Sequence, residues 1–274
     1  MNAMVQKPFC KLLNYMFKWI VSKVLIVCGV LFVYMWVTAL AVPTGSSSAS
    51  DFSGILIMTQ TLRVFWLAIV TVAVIITADG YTRFVKTHGT NTLMMLPLPR
   101  RNVFYAMSIV GIAAVLMIWA AQLLAIVSVY PVAVRNASAE FSKYLTITKM
   151  SELPFELLRV NGFFVAAMNN SILRMLLPQT WIEAVSSILL ILGLGMLPSF
   201  CIFGAKNKIR FVWLSFILLG SVLVVESRNY NFWYRWNRMD GLVLYFAGIF
   251  AMTVSEVYMM VMGTLRLNKS ANSK

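Results

Sequence analysis

The chain is 274 residues long, 60% apolar and only 12% charged, against roughly 45–50% apolar and about 25% charged in an ordinary soluble domain. That balance excludes a soluble enzyme, a disordered chain and a fibrous repeat. Its 23 Lys and Arg against 9 Asp and Glu leave a formal charge of +14, which in so apolar a chain marks cytoplasmic loops and lipid headgroup contacts rather than nucleic acid.

The first element is amphipathic. Phe9, Leu12, Leu13, Met16, Phe17 and Ile20 fall on one helical face, and Lys7, Lys11, Asn14, Lys18 and Ser22 on the other. This pattern predicts an interfacial helix over 7–22, with lysines toward anionic headgroups and aromatics in the acyl boundary. The apolar run that follows, Val24 to Val42, is 19 residues, long enough to span the bilayer rather than to be a cleaved signal.

Further apolar runs predict an all-α membrane protein with six transmembrane helices in a single domain, 1–274. The spans fall at about 24–42, 55–78, 103–129, 182–203, 211–227 and 241–263. The second is extended back to Ile55 because the run from Val64 to Ala78 is about 22 Å long at 1.5 Å per residue, short of a ~30 Å hydrocarbon core. That start places Arg63 inside the outer part of the membrane. Segments 1–23, 79–102, 204–210 and 265–274 hold 14 Lys or Arg in 64 residues, against 9 in 87 for the alternate segments. The first group is therefore expected in the cytoplasm, with both termini.

The segments on the opposite side differ in character. Residues 43–53 form a small loop of turn formers. Residues 130–180 form a long extracytoplasmic segment in which Ser151 begins a short helix ending near Gly162, and 155–177 is apolar enough in part to dip into the interface. A seventh crossing there would have to bury Asn169, Asn170 and Arg174. The mixture of Tyr230, Phe232, Trp233, Tyr234 and Trp236 with Arg228, Arg235 and Arg238 reads as an interfacial belt.

The intramembrane charges are few. Glu256 lies about 15 Å along its helix from Arg266, at a cost of at least ~2.5–3.5 kcal/mol on insertion scales, so it requires a partner, a wet cleft or a proton. With Gln122 and Arg63 it makes up the candidate substrate pathway. Glu183 and Glu226, at span ends, read as solvated. Gly193 and Gly195 with Pro198 are candidates for a kink, and Gly220 for a close helix contact. Cys10, Cys28 and Cys201 form no CxxC pair and read as small hydrophobes, with no disulfide framework and no metal site. The only histidine, His88, lies in a loop, so Ser-His chemistry at membrane depth has no base.

One segment is motif-like. Asn91 to Tyr105 contains a short amphipathic stretch, Thr92 to Leu96, halted by Pro97 and Pro99 and followed by Arg100 and Arg101 at the mouth of the third span. Leu93, Leu96, Pro97, Leu98, Pro99, Arg100 and Arg101 resemble the coupling helix and third-span entry of the type-2 ABC transporter permeases, with Pro99 where Ser is usual. The amphipathic entrance helix, the six spans and the cytoplasmic termini resemble that family too. The longer outer segment follows the third span here, whereas in the family it commonly precedes the last.

The resemblance implies the type-2 ABC exporter fold in a prokaryotic cytoplasmic (inner) membrane, and an ATPase-coupling segment at 83–98. That segment comprises Arg83, Lys86, Thr92, Leu93, Met94, Leu96 and Pro97, with Arg100 and Arg101 beyond it. It also implies a permease that exports a hydrophobic or amphipathic substrate, peptide before lipid or drug, without a catalytic site or cofactor of its own. No GxxxxGK[ST] loop occurs in the chain. ATP and Mg would therefore sit on a separate nucleotide-binding ATPase subunit, and a second permease would complete a homo- or heterodimer amid membrane lipids. A noncatalytic membrane sensor or immunity protein and an intramembrane lipid-modifying enzyme are the alternatives.

Overall fold

A computed structural model describes residues 3–41, 56–57, 59–86, 100–148, 170–204, 207–229 and 239–272, with Phe52, Phe163 and Met168. Among these residues the chain is almost wholly helical, with no strand. That is the arrangement hydrocarbon demands, because a helix satisfies its own backbone groups where water is absent. The elements are α1 (Ala3–Ala41), α2 (Thr61–Gly80), α3 (Arg100–Thr148), the short α4 (Ser171–Leu176), α5 (Trp181–Ser199), α6 (Asn207–Asn229) and α7 (Met239–Asn272). Two of them end in π-helical turns, α2 through Tyr81–Lys86 and α5 through Phe200–Gly204.

Among the described residues five stretches are long and apolar enough to cross a membrane: Pro8–Ala41, Thr61–Phe84, Arg101–Ala133, Trp181–Phe203 and Val243–Leu265. The chain is thus a multi-pass membrane protein. The Trp181–Phe203 stretch is 72% buried inside the bundle and Pro8–Ala41 only 22%, so α5 is the central helix and α1 a peripheral one. The outward faces are apolar as well, with Ile26, Val30, Val33 and Val37 on α1 and Val243, Phe246, Phe250 and Val257 on α7 exposed, as expected where the solvent is lipid.

Three features differ from the sequence reading. The 7–22 helix and the 24–42 span are one continuous helix of 39 residues, with Met16, Ile20, Val24, Leu31, Met35 and Ala39 buried along it. No break separates them at 22–24, and Lys23, which lies between the two, pairs with Asp79 of α2. Second, α2 begins at Thr61 rather than Ile55. Gln60 stands in the left-handed region at φ 49°, a conformation costly for a residue with a Cβ, and this separates Leu56 and Ile57 from the helix. Third, α3 continues through Pro131 to Thr148, 49 residues in all, where a loop was expected from 130. Proline removes one hydrogen bond from an interior turn without abolishing the helix on either side of it. The short helix expected after Ser151 lies outside the described residues.

Two glycine crossings set the packing. A Cβ at Gly111 of α3 would fall on the Gly195 carbonyl of α5, and one at Gly195 would lie 2.7 Å from Ile112 Cα. The second crossing joins α6 to α7, where a Cβ at Gly220 would stand 3.1 Å from the Gly248 carbonyl oxygen. Small residues let helix backbones approach where no hydrophobic effect drives them together. The contact expected of Gly220 is present, and Trp213 stacks on Tyr258 at 4.0 Å along the same seam.

Candidate functional site

The predicted site residues fall in separate places. Thr92, Leu93, Met94, Leu96 and Pro97 lie outside the described residues, as do the side chains of Lys86 and Arg100. Arg83 and Arg101 are described. Arg101 is exposed in the first turn of α3. Arg83, in the π turn after α2, donates from Nε to Asp79 Oδ1 at 3.4 Å and lies over the Trp19 ring.

Asp79 is the hub of this end. It accepts from Trp19 Nε1 at 2.7 Å and pairs with Lys23, while Lys23 Nζ lies 4.7 Å from the Trp19 ring centroid. The π turns meet beside it. Phe84 packs on Phe203 at 6.0 Å between centroids and edge-on to Trp19 at 5.5 Å.

Glu256, Gln122 and Arg63 are not brought together by any hydrogen bond or ion pair. Glu256 sits deep in the bundle on α7, 7% exposed, with its carboxyl over Gly193 of α5. A Cβ on that glycine would lie 2.9 Å from Glu256 Oε1, which has no hydrogen-bond partner. Gln122 is buried on α3, and neither atom of its amide has a partner. Arg63 is committed elsewhere, donating Nε and Nη2 to the two carboxylate oxygens of Glu226 at 2.8 and 2.9 Å. Glu226 is therefore a paired residue rather than a freely solvated one.

The densest polar cluster is one that sequence reading missed. It lies where the start of α5, the end of α6, the start of α7 and the short α4 converge. Thr180 caps α5, its side chain accepting from the Glu183 backbone N–H at 3.3 Å, while Glu183 Oε2 accepts from the Gln179 backbone N–H at 3.0 Å. The other carboxylate oxygen, Oε1, pairs with Arg174 of α4. Both side chains are buried, which corrects the reading of Glu183 as solvated. Arg174 lies on a six-residue helix too short to cross a bilayer, and Asn170 caps that helix through Oδ1 to the Ile172 N–H at 3.0 Å.

Arg228, the penultimate residue of α6, completes the cluster. It donates to the Glu183 carbonyl at 2.7 Å, to Ser187 Oγ at 3.3 Å, to Tyr245 Oη at 3.4 Å and to Ser186 Oγ. Tyr245 Oη donates in turn to Ser186 Oγ at 2.8 Å. Arg174, Glu183, Ser186, Ser187, Arg228 and Tyr245 are all more than nine-tenths buried. The available signals were the Thr-x-x-Glu start of α5, a capping-box pattern, and two adjacent serines in an apolar run. Nothing in sequence order linked them to arginines on other elements.

Chemically, this cluster holds charge: two guanidiniums, one carboxylate and hydroxyls that serve as neutral acceptors. Among the described residues no three of His, Cys, Asp and Glu come together as they would around a metal ion. None of Cys10, Cys28 and Cys201 is in a disulfide. No family model, no curated protein and no solved structure matches the chain.

Proposed function

We propose that this chain is the permease subunit of an ATP-driven exporter of the type-2 ABC kind, working with a separate nucleotide-binding ATPase and a second permease in a prokaryotic inner membrane. The observation that carries the reading is the Leu93 to Arg101 segment, joining two membrane-length helices on a side rich in Lys and Arg. The sixth crossing in this reading is α6, whose 23 residues extend about 34 Å. Both termini are then cytoplasmic, as the charge distribution also favours.

In this mechanism the chain hydrolyses nothing. Closure of two ATPase subunits pushes on segment 83–98, and the attached helices α2 and α3 move as rigid bodies, alternately opening a cleft between two permeases. The cargo in this reading is hydrophobic or amphipathic, with peptide first. Glu256 is the candidate pathway carboxyl, because its unpartnered oxygen faces a glycine rather than a cation.

The test is assembly. Co-expressed with an ATPase encoded beside it, the chain should copurify with that subunit. The Leu93→Asp, Leu96→Asp double variant should lose the partner and its ATP turnover while still reaching the membrane. Retention of both in the double variant overturns the reading. Glu256→Gln, which keeps shape and removes charge, should lower transport without lowering assembly; unchanged transport removes Glu256 from the pathway.

A further inference from the structure

The cluster around Arg228 carries an unbalanced charge. Its one carboxylate among the described residues, Glu183, is committed to Arg174 and to the Gln179 N–H. Among the described residues every acceptor Arg228 reaches is neutral and no carboxylate lies within ion-pairing distance of it, and its Nε–H is left without a partner. Arg228 is 6% exposed. A buried guanidinium without a counter-ion is a costly arrangement.

The helix fields raise the demand for an anion. Although Arg228 belongs to the end of α6, its head group lies against the first turns of α5, where the aligned peptide dipoles are positive. Tyr245, which touches it, is in the opening turns of α7, another positive end. Trp181, two residues before Glu183, is 88% exposed, as expected of an interfacial anchor at headgroup level.

We propose that Arg228, with Ser186, Ser187 and Tyr245 orienting it, is a recognition site for a phosphate oxyanion, supplied by the headgroup of a membrane lipid. The buried Nε–H of the guanidinium, which has no partner in the bundle, is the donor left for it, and Arg174 is held back from the same anion by Glu183. Basic pockets between transmembrane helices hold anionic lipid headgroups on the cytoplasmic side of membranes, and the same chemistry at the start of α5 would serve the opposite leaflet. The site does not depend on the transport reading, because it uses no residue of the coupling segment and needs no ATPase.

The experiment uses the full chain, purified in a neutral detergent and stripped of lipid, without any partner. Phosphatidylglycerol, diacylglycerol and inorganic phosphate are added separately, and binding is read by native mass spectrometry and by the thermal unfolding midpoint. Phosphatidylglycerol should bind at one site and raise the midpoint, and diacylglycerol, which lacks the phosphate, should do neither. Arg228→Gln should weaken lipid binding about tenfold or more, the scale of one lost charge-assisted hydrogen bond. Inorganic phosphate acting as strongly as the lipid would keep the oxyanion site and assign it to free phosphate. Equal binding of phosphatidylglycerol and diacylglycerol, or equal binding by wild type and Arg228→Gln, overturns the proposal. Should Arg228→Gln fail to fold, Glu183→Gln decides: removing the only competing carboxylate should tighten phosphate binding, and an unchanged affinity overturns it.

Discussion

The two ends of this bundle are both tied by charged residues, yet the ties differ in kind. At the end where α5 begins, Arg174, Glu183 and Arg228 are sealed from solvent and bridge α4, α5, α6 and α7, with Arg63 and Glu226 joining α2 to α6 alongside. At the opposite end Asp79 gathers Trp19, Lys23 and Arg83, and its ion-pair partners' side chains are 27% and 52% exposed. That second end is also where α2 and α5 loosen into π-helical turns, which are commonest at functional sites. The difference teaches that burial, more than the number of charges, decides which end is fixed. If the chain works as proposed, force enters at the end whose ties are cheapest to rearrange.

The largest expected effect tests the fixed end. Glu183→Ala leaves two guanidiniums buried with no carboxylate between them, and stability should fall by about 3–5 kcal/mol, read from unfolding midpoints in detergent. Replacing Arg174 and Glu183 together by Met should restore most of that loss, since an apolar pair leaves no orphaned charge. A loss below ~1 kcal/mol for the single change, on the scale of an exposed pair, would erase the contrast between the ends.

Between the ends, the glycine crossing sets the next effect. Gly111→Ala drives a methyl group onto the Gly195 carbonyl, a backbone atom that cannot rotate away, and should cost about 1–3 kcal/mol through overpacking. Gly29→Ala, on the peripheral α1 with nothing within 4 Å of the new methyl, should instead stabilise by about 0.5–1 kcal/mol through helix propensity alone. The pair of variants, measured side by side, separates a packing requirement from the general dislike of helices for glycine.

A smaller effect is expected at Arg63. Its bond to Glu226 is bidentate, but the two side chains are 39% and 35% exposed, so solvent screening holds the loss for Arg63→Ala to about 0.2–1 kcal/mol. A loss as large as that of Glu183→Ala would show that this edge of the bundle is much drier than its exposure indicates.

How far the sequence anticipated this arrangement follows from the range of each interaction. Apolar runs are local, so the membrane helices were legible from hydropathy. Their ends were less so. The boundary between the 7–22 helix and the 24–42 span has no counterpart in the fold, where Lys23 pairs with Asp79, 56 residues away, and the left-handed Gln60 has no signature in residue type. The coupling segment was legible only as a pattern of Leu, Pro and Arg. Of the Arg228 cluster only the Thr180-x-x-Glu183 cap and the paired Ser186 and Ser187 were legible, because the rest depends on residues from four elements whose approach is set by packing. The rule that charges at span ends are solvated holds for isolated helices. It fails where another helix end covers them, as at Glu183.

The smallest expected effect lies at the second end, and it is the one that sharpens the comparison most. A double-mutant cycle of Lys23→Met and Asp79→Asn isolates that pair from the packing of α1 against α2. Its coupling energy should be about 0.5 kcal/mol and should shrink as salt is raised, because both side chains remain partly in contact with solvent. The same cycle on Arg174 and Glu183 should give several times more and change little with salt, since buried pairs are screened far less than exposed ones. Equal couplings, or a salt-insensitive Lys23 with Asp79, would mean that this end is as firmly closed as the other. A force applied to α2 would then have no soft joint through which to move it.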